Sequence, residues 1–384
     1  MQTMIYLDYN ATTPVHPLVF DAMVPYLTEH FGNASSPYRI GRDAKVALEN
    51  SCRVVATCIG ADADEIVFTG GGTESDNLAI RGVAHALKAK GNHIITSSIE
   101  HHAVLKTVHA LERDGFNVTF VPVDSNCMID PYDVIKSITP RTILISVMYA
   151  NNETGVIQPV KEIGAFARER DVVFHTDAVQ AAGKIPVNVN KINADLLSIS
   201  AHKIYGPKGV GALYVKKGTS ITPVLTGGHH EHNLRAGTEN IAGIVGLAEA
   251  LRLATDSLEE ESKRLASLRD SLEKGVECKI KGVYVNGCNA PRVPNTTNIS
   301  FMSIEAESIL LHLDLKSIYA SSGSACTTGS FNSSHVLLSM GIAPQEAQGA
   351  IRFSLGRDNT EEEMDLTVEA LVEITEKLRK ITSI

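Results

Sequence analysis

Glu65-Ile66-Val67-Phe68-Thr69-Gly70-Gly71-Gly72-Thr73-Glu74 decides how the chain is read. A short β-branched apolar run ends in three glycines, and an amphipathic stretch over residues 74–89 begins on the far side. This reads as a strand, a tight turn and the start of a helix. Working outward, strand candidates recur at 65–69, 93–97, 117–121, 142–148, 172–175, 196–200 and 211–215. Helical patterns at 74–89, 103–114 and 160–170 lie between several of them. Alternation at this spacing predicts βαβ units and an α/β fold built on a mostly parallel sheet. Such sheets bind ligands beyond the carboxyl ends of their strands, where the connecting loops gather.

The pattern changes near Ile241, where one long helical stretch rich in Glu, Lys, Arg and Leu runs to about Lys274. We expect a large domain over residues 15–260 and a smaller one formed by 261–384 together with 1–14. No repeat of solenoid length is present. Residues 320–334, Ala-Ser-Ser-Gly-Ser-Ala-Cys-Thr-Thr-Gly-Ser-Phe-Asn-Ser-Ser, have the composition of a mobile loop.

Composition narrows the function classes. A chain of 384 residues, at roughly 150 per domain, suggests two to three domains. Its 43% apolar and 21% charged residues exclude wholesale disorder. The formal net charge of −9 argues against nucleic acid as the main partner. No apolar run is long enough for a membrane span, and residues 1–15 lack a secretory signature, so a cytoplasmic protein without membrane association is expected. The six cysteines are scattered without a CxxC pair, which predicts reduced thiols. Tryptophan is absent, leaving any ligand stacking to His, Tyr or Phe.

Three segments carry candidate chemistry. Gly70-Gly71-Gly72-Thr73-Glu74 combines close backbone approach with a helix N-terminus, which suits a phosphate; a plain strand-to-helix turn is the alternative. Ser200-Ala201-His202-Lys203 follows a strand and offers a Schiff-base lysine, against the commoner surface lysine. Asp177, also after an apolar run, suits a protonated pyridine nitrogen, or else caps a helix. An anion cradle, an acid and a lysine, each at a strand end of one α/β domain, are the parts that a pyridoxal-phosphate site needs. A GxGxxG dinucleotide fingerprint with its following acid is missing.

The sequence resembles the cysteine desulfurases of the NifS/IscS kind. The resemblance spans nearly the whole chain. It rests on Tyr6-Leu7-Asp8-Tyr9-Asn10-Ala11-Thr12-Thr13-Pro14, Phe31-Gly32-Asn33, Gly72-Thr73-Glu74-Ser75-Asp76-Asn77 and Glu100-His101-His102-Ala103-Val104. It continues through Asn151-Asn152-Glu153-Thr154-Gly155, the Asp177 segment, Ser200-Ala201-His202-Lys203 and the residues to Gly209. Leu234-Arg235-Ala236-Gly237-Thr238-Glu239-Asn240, Ser322-Gly323-Ser324-Ala325-Cys326 and Ile351-Arg352-Phe353-Ser354-Leu355-Gly356-Arg357 complete it.

That resemblance implies a fold-type I pyridoxal-phosphate enzyme. Its large domain would hold a mostly parallel seven-stranded sheet beside a smaller α+β domain. It also implies a homodimer that converts L-cysteine to L-alanine. Lys203 would carry the pyridoxal 5'-phosphate, Asp177 would face the pyridine nitrogen, and Gln180 the phenolic oxygen. His101 would stack on the ring; without the family, a satisfied core histidine is the simpler reading. Thr73, Ser200 and His202 would bind the phosphate, with Thr238 reaching in from the second subunit. Asn152 and Arg352 would hold the substrate carboxylate, Arg352 through a bidentate pair. Asn152 also counts among the cofactor-binding residues. Cys326 would take the sulfur as a persulfide and pass it to an acceptor such as an iron–sulfur scaffold; a buried structural thiol is the alternative. A selenocysteine lyase or another class V aminotransferase-like enzyme is the runner-up reading, and a non-catalytic scaffold a third.

Two departures stand out. Gly227-Gly228-His229-His230-Glu231-His232-Asn233 replaces the usual Gly-Gly-Gly-Gln-Glu-Arg-Gly, which opens a metal reading, although no catalytic metal is expected. Tyr38 stands where the family often has histidine.

Overall fold

The computed structural model describes residues 4–322 and 333–382. The chain enters through strand β1 (Ile5–Tyr6) and helices α1 (Pro17–Thr28) and α2 (Arg39–Ile59). Strands and helices then alternate through β2 (Ile66–Thr69), α3 (Gly72–Ala86), β3 (His93–Ser97), α4 (His102–Arg113), β4 (Asn117–Val121) and α5 (Pro131–Ser137). They continue as β5 (Thr142–Ser146), α6 (Val160–Glu169), β6 (Val173–Asp177), α7 (Val189–Ile192), β7 (Leu196–Ser200) and β8 (Gly211–Val215). The remainder begins with α8 (Ile241–Asp256), α9 (Leu258–Lys279), β9 (Val283–Val285), β10 (Thr296–Phe301) and α10 (Ala306–Asp314). It closes with β11 (Ile318–Tyr319), β12 (Ser321–Ser322), α11 (His335–Ser339), α12 (Pro344–Ala347), β13 (Ala350–Ser354) and α13 (Glu361–Thr382).

The seven strands expected between residues 65 and 215 form one sheet in the order β2-β8-β7-β6-β5-β3-β4. Neighbours from β7 to β4 are parallel, whereas β8 runs antiparallel to both β7 and β2. The reversal has a simple cause. Residues 201–210 are too few for a crossover helix, so the chain turns back beside the strand it has just left. Strands β5, β6 and β7 are covered on both faces, with Ile145, Phe174, Leu197 and Ile199 buried. Removal of this apolar area from water is the main force holding helices on both sides.

The second sheet is antiparallel, in the order β12-β13-β10-β9, and β1 pairs in parallel with β11 through Ile5 and Ile318. The N-terminal residues therefore share a core with the C-terminal ones, in which Leu7, Leu272, Ile299, Phe353 and Leu371 pack together. The single helix expected from Ile241 to about Lys274 is two helices, broken at Ser257, where φ is −98° and ψ is 5°. Thr255 and Ser257 both turn their hydroxyls back onto carbonyls four residues earlier, Leu251 O at 2.8 Å and Leu253 O at 3.0 Å. Such back-bonding competes with the helix ladder and bends it. The break lets α8 pack on α1 and α2 while α9 packs on α13. Among the described residues, no helix is long and apolar enough to cross a membrane.

Candidate active site

The carboxyl ends of β2, β6 and β7 lie at one edge of the large sheet. Thr69 and Ser200 both register against Gly211, and Asp177 pairs with Ser198. The glycine turn after β2 closes over this edge. Gly71 has φ of +147°, a backbone that L side chains rarely adopt. A Cβ at Gly72 would stand 2.8 Å from Val179 Cγ2, so only glycine lets α3 start so close to the turn after Asp177. The result is a cleft of about 640 Å³ lined by Thr12, Gly71, Gly72, Thr73, Ser200 and His202, among others. Ser200 Oγ is buried and has no hydrogen-bond partner among the described residues. His202 Nδ1 lies 3.2 Å from Thr12 Oγ1. Free backbone N–H groups at the N-terminus of α3 and an unpartnered buried hydroxyl form a site for an anion.

Asp177 ends β6 and is buried, its Oδ1 accepting from Val179 N at 2.9 Å. Burial pushes its carboxyl up to about 6, against the pull of that N–H and of Lys203. Two residues earlier on the strand, His175 is fully buried between Ser146 Oγ (2.8 Å from Nδ1) and Ser198 Oγ (3.0 Å from Nε2). Burial drives it down to about 3, so it is a neutral imidazole. Asp76 of α3 brings a second buried carboxyl, with Oδ1 3.6 Å from His175 Nε2. Burial first, and Asp177 next, hold Asp76 well above the ordinary carboxylate range. The acid at the end of β6 thus sits over neutral groups and a second acid, a setting that favours a cation above it.

Lys203 ends the 3₁₀ turn that follows β7, and its Nζ donates to Asn10 O and Ala11 O, both at 2.6 Å. Gln180 Nε2 donates to the same Asn10 carbonyl at 3.0 Å. His101 caps α4 by accepting from Ala103 N at 3.1 Å, and burial, helped by Lys203, lowers it to about 4. Arg352, in the middle of β13, is buried; its Nη2 meets Asp8 Oδ1 at 2.7 Å and its Nη1 meets Asn152 O at 3.1 Å. Its Nε has no partner among the described residues.

The residues singled out in the sequence therefore fall into three linked groups. Thr73, Ser200 and His202 line the cleft; Lys203 and Gln180 meet at Asn10, near Asp177 and His101; and Arg352 touches Asn152. Thr238 is exposed and does not line the cleft of its own chain. Cys326 lies outside the described residues, but the chain on both sides is anchored beside the site. Ser321 pairs with Arg352, Ser334 Oγ donates to Glu153, and His335 Nε2 lies 3.0 Å from Glu100 O with its ring 5.1 Å from that of His102.

Asn10, Lys184, Asp76, His175, Glu100 and Glu153 had no role in the sequence reading. Asn10, Asp76, Glu100 and Glu153 sit inside the quoted motifs, but their burial and partners come from distant elements. Glu153 is fully buried and pushed up to about 7 by burial, more than Ser334 and Arg352 offset. In this range the folded state holds a proton that the unfolded chain releases, so Glu153 costs stability as pH rises from about 5 to 8. Glu153→Gln should flatten that decline by on the order of 2 kcal/mol, read from denaturant unfolding across the range. An unchanged slope would place the titration elsewhere.

The histidine-rich segment is a local loop. Glu231, His232 and Asn233 all have positive φ. Glu231 Oε2 accepts from Phe68 N at 2.7 Å, satisfying an amide on the edge strand β2. His229 Nδ1 bonds Asn233 Oδ1 at 2.7 Å, and His230 Nδ1 accepts from Gly237 N at 3.3 Å. No group of three or more metal-ligating side chains gathers among the described residues.

The family profile described as Aminotransferase class-V matches residues 5–367. The chain belongs to the class-V aminotransferase family. Among its relatives, a cysteine desulfurase IscS of Dictyoglomus turgidum is 52% identical over 382 residues, covering 100% of this chain and 97% of that one. The cysteine desulfurase IscS of Methanosarcina thermophila is 52% identical over 378 residues, covering 98% and 93%. Among solved structures, a NifS-like protein superposes with a TM-score of 0.92 at 38% identity, covering 97% of this chain and 100% of the other. The fold is the fold-type I arrangement of this family, whose cofactor is pyridoxal 5'-phosphate.

Proposed function

We propose that this class-V enzyme is a pyridoxal-phosphate-dependent cysteine desulfurase that releases L-alanine from L-cysteine and keeps the sulfur on Cys326. The observation that carries the reading is the convergence of Lys203, buried Asp177 and the Ser200 cleft at one sheet edge. The donor set suits the cofactor. The orphaned Ser200 hydroxyl, Thr73, His202 and the start of α3 would hold its phosphate, completed by Thr238 of a second subunit. Asp177, costly to ionise alone, would hold a proton on the pyridine nitrogen. Gln180 would donate to the phenolic oxygen, and Lys203 would carry the cofactor covalently through Nζ. When bound, the cofactor supplies an electron sink for the pair left at the substrate Cα.

The chain's own residues do the rest. Arg352, whose Nε has no partner among the described residues and whose Nη2 is held by Asp8, binds the substrate carboxylate beside Asn152. His101, neutral and held by its cap, would cover the cofactor ring and move protons there. Cys326 Sγ, as thiolate, attacks the substrate sulfur. The S–S bond forms as the Cβ–S bond of the substrate breaks, and that electron pair, with a proton, stays on the alanine carbon. A nucleophile of an acceptor protein, such as a thiolate of an iron–sulfur scaffold, then takes the outer sulfur as the S–S bond breaks, and Cys326 leaves as the thiolate.

We place the enzyme in the cytoplasm as a homodimer, with residues 15–260 as the cofactor domain and 1–14 with 261–384 as the smaller one. Leu18 and Phe20 of α1, with Tyr38, Ile40 and Val46 at α2, are exposed apolar side chains that a second subunit would cover. The purified holoenzyme given L-cysteine and a dithiol should release alanine and sulfide in equal amounts. Turnover of other amino acids without sulfide release would overturn the reading.

A further inference from the structure

We propose that Lys184 is a positioning residue: its amine, seated between Gln180 Oε1 at 2.5 Å and Asn10 Oδ1 at 2.9 Å, fixes which end of the Gln180 amide is offered to the cofactor. The inference rests on the cofactor assignment above. The two ends of a carboxamide are nearly equal in size, and only the hydrogen-bond network decides which points where. Gln180 Oε1 takes Lys184, so Nε2 must face the other way, where it meets Asn10 O at 3.0 Å.

Lys184 sets the second amide too. Asn10 Oδ1 receives Lys184 and Asn295 Nδ2 (3.1 Å), while Asn10 Nδ2 goes to Thr296 Oγ1 (2.9 Å) and Asn152 O (3.2 Å). The backbone carbonyl of Asn10 in turn accepts from Lys203 Nζ. One side chain thus orders the partners of both Gln180 and Lys203.

Its setting is unusual for a purely structural lysine. Its partners among the described residues are two amide oxygens rather than a carboxylate. Burial, and then Lys203 and Arg352, hold its ammonium well below the ordinary lysine range. A partly desolvated amine among like charges is costly, and such groups gather at functional sites. Donation to two oxygens needs only two N–H groups, which the amine has in either protonation state.

The test is the absorbance titration of the lysine–cofactor linkage in the holoenzyme. A donor on the phenolic oxygen draws charge that would otherwise hold the linkage proton, so losing it raises the midpoint. Lys184→Met should raise the midpoint by roughly one pH unit, the scale of one hydrogen bond or nearby charge. Lys184→Gln, a milder change, should shift it the same way by less. Lys184→Arg, also donor-only, should titrate as wild type. Gln180→Leu should shift as Lys184→Met does, and the double variant no further. A wild-type midpoint in Lys184→Met with cofactor bound overturns the inference. So does an undiminished effect of Lys184→Met in the Gln180→Leu background. A wild-type protein that forms no reducible linkage overturns the cofactor assignment itself, and this inference with it.

Discussion

Lys203→Ala is expected to abolish desulfuration, lowering turnover by at least about 10³-fold, because it removes both a covalent anchor and an acid–base group. The geometry explains why no neighbour can substitute. Lys203 Nζ is fixed by two carbonyls, those of Asn10 and Ala11, at the end of the 3₁₀ turn that follows β7. Lys184, the nearby alternative, is engaged by Gln180 and Asn10. Lys208 lines the anion cleft but lies beyond Pro207 on the connection to β8. Borohydride reduction followed by mass spectrometry is the direct measurement. Wild type should retain one cofactor per chain on the Lys203 peptide, and the variant none. A variant that still fixes cofactor on another lysine would move the attachment point.

Cys326→Ser should fail in a different way. The variant is expected to bind cofactor as wild type does and to show the spectral change on adding L-cysteine. It should release alanine at least about 10²-fold more slowly, since a hydroxyl is a poor nucleophile towards sulfur at neutral pH. Covalent geometry keeps Cys326 within reach of the site. Cys326 is four residues from Ser322, and four residues span at most about 14 Å. The preceding residue, Ser321, registers directly opposite Arg352. After one turnover without reductant, the wild-type peptide bearing Cys326 should gain one sulfur atom. Full alanine release by Cys326→Ser would remove the persulfide step and favour a lyase.

Much of the site was legible because its chemistry is local in sequence. Gly70-Gly71-Gly72, Asp177 and Ser200-Ala201-His202-Lys203 each follow a strand pattern, and in a parallel sheet strand ends gather without further information. The environment beneath them was not legible. Asp76 comes from α3, His175 from β6 and Ser198 from β7, and nothing in their spacing announces that they share a buried cluster. The same holds for Asn10, which reaches Thr296, Asn295 and Lys184 from the other end of the chain.

Sequence alone determined the periodicities, hence seven strands with helices between them, and the identity of the reactive groups at their ends. Both follow from side-chain pattern and backbone freedom, which are properties of neighbours along the chain. The tertiary structure alone decided the reversal of β8, the break of the long helix at Ser257 and the joining of β1 to β11. It also decided the protonation of Asp177, Glu153 and His175. These depend on which distant groups are packed together and how much water they exclude, and burial sets the cost of a charge only once the whole chain has closed around it.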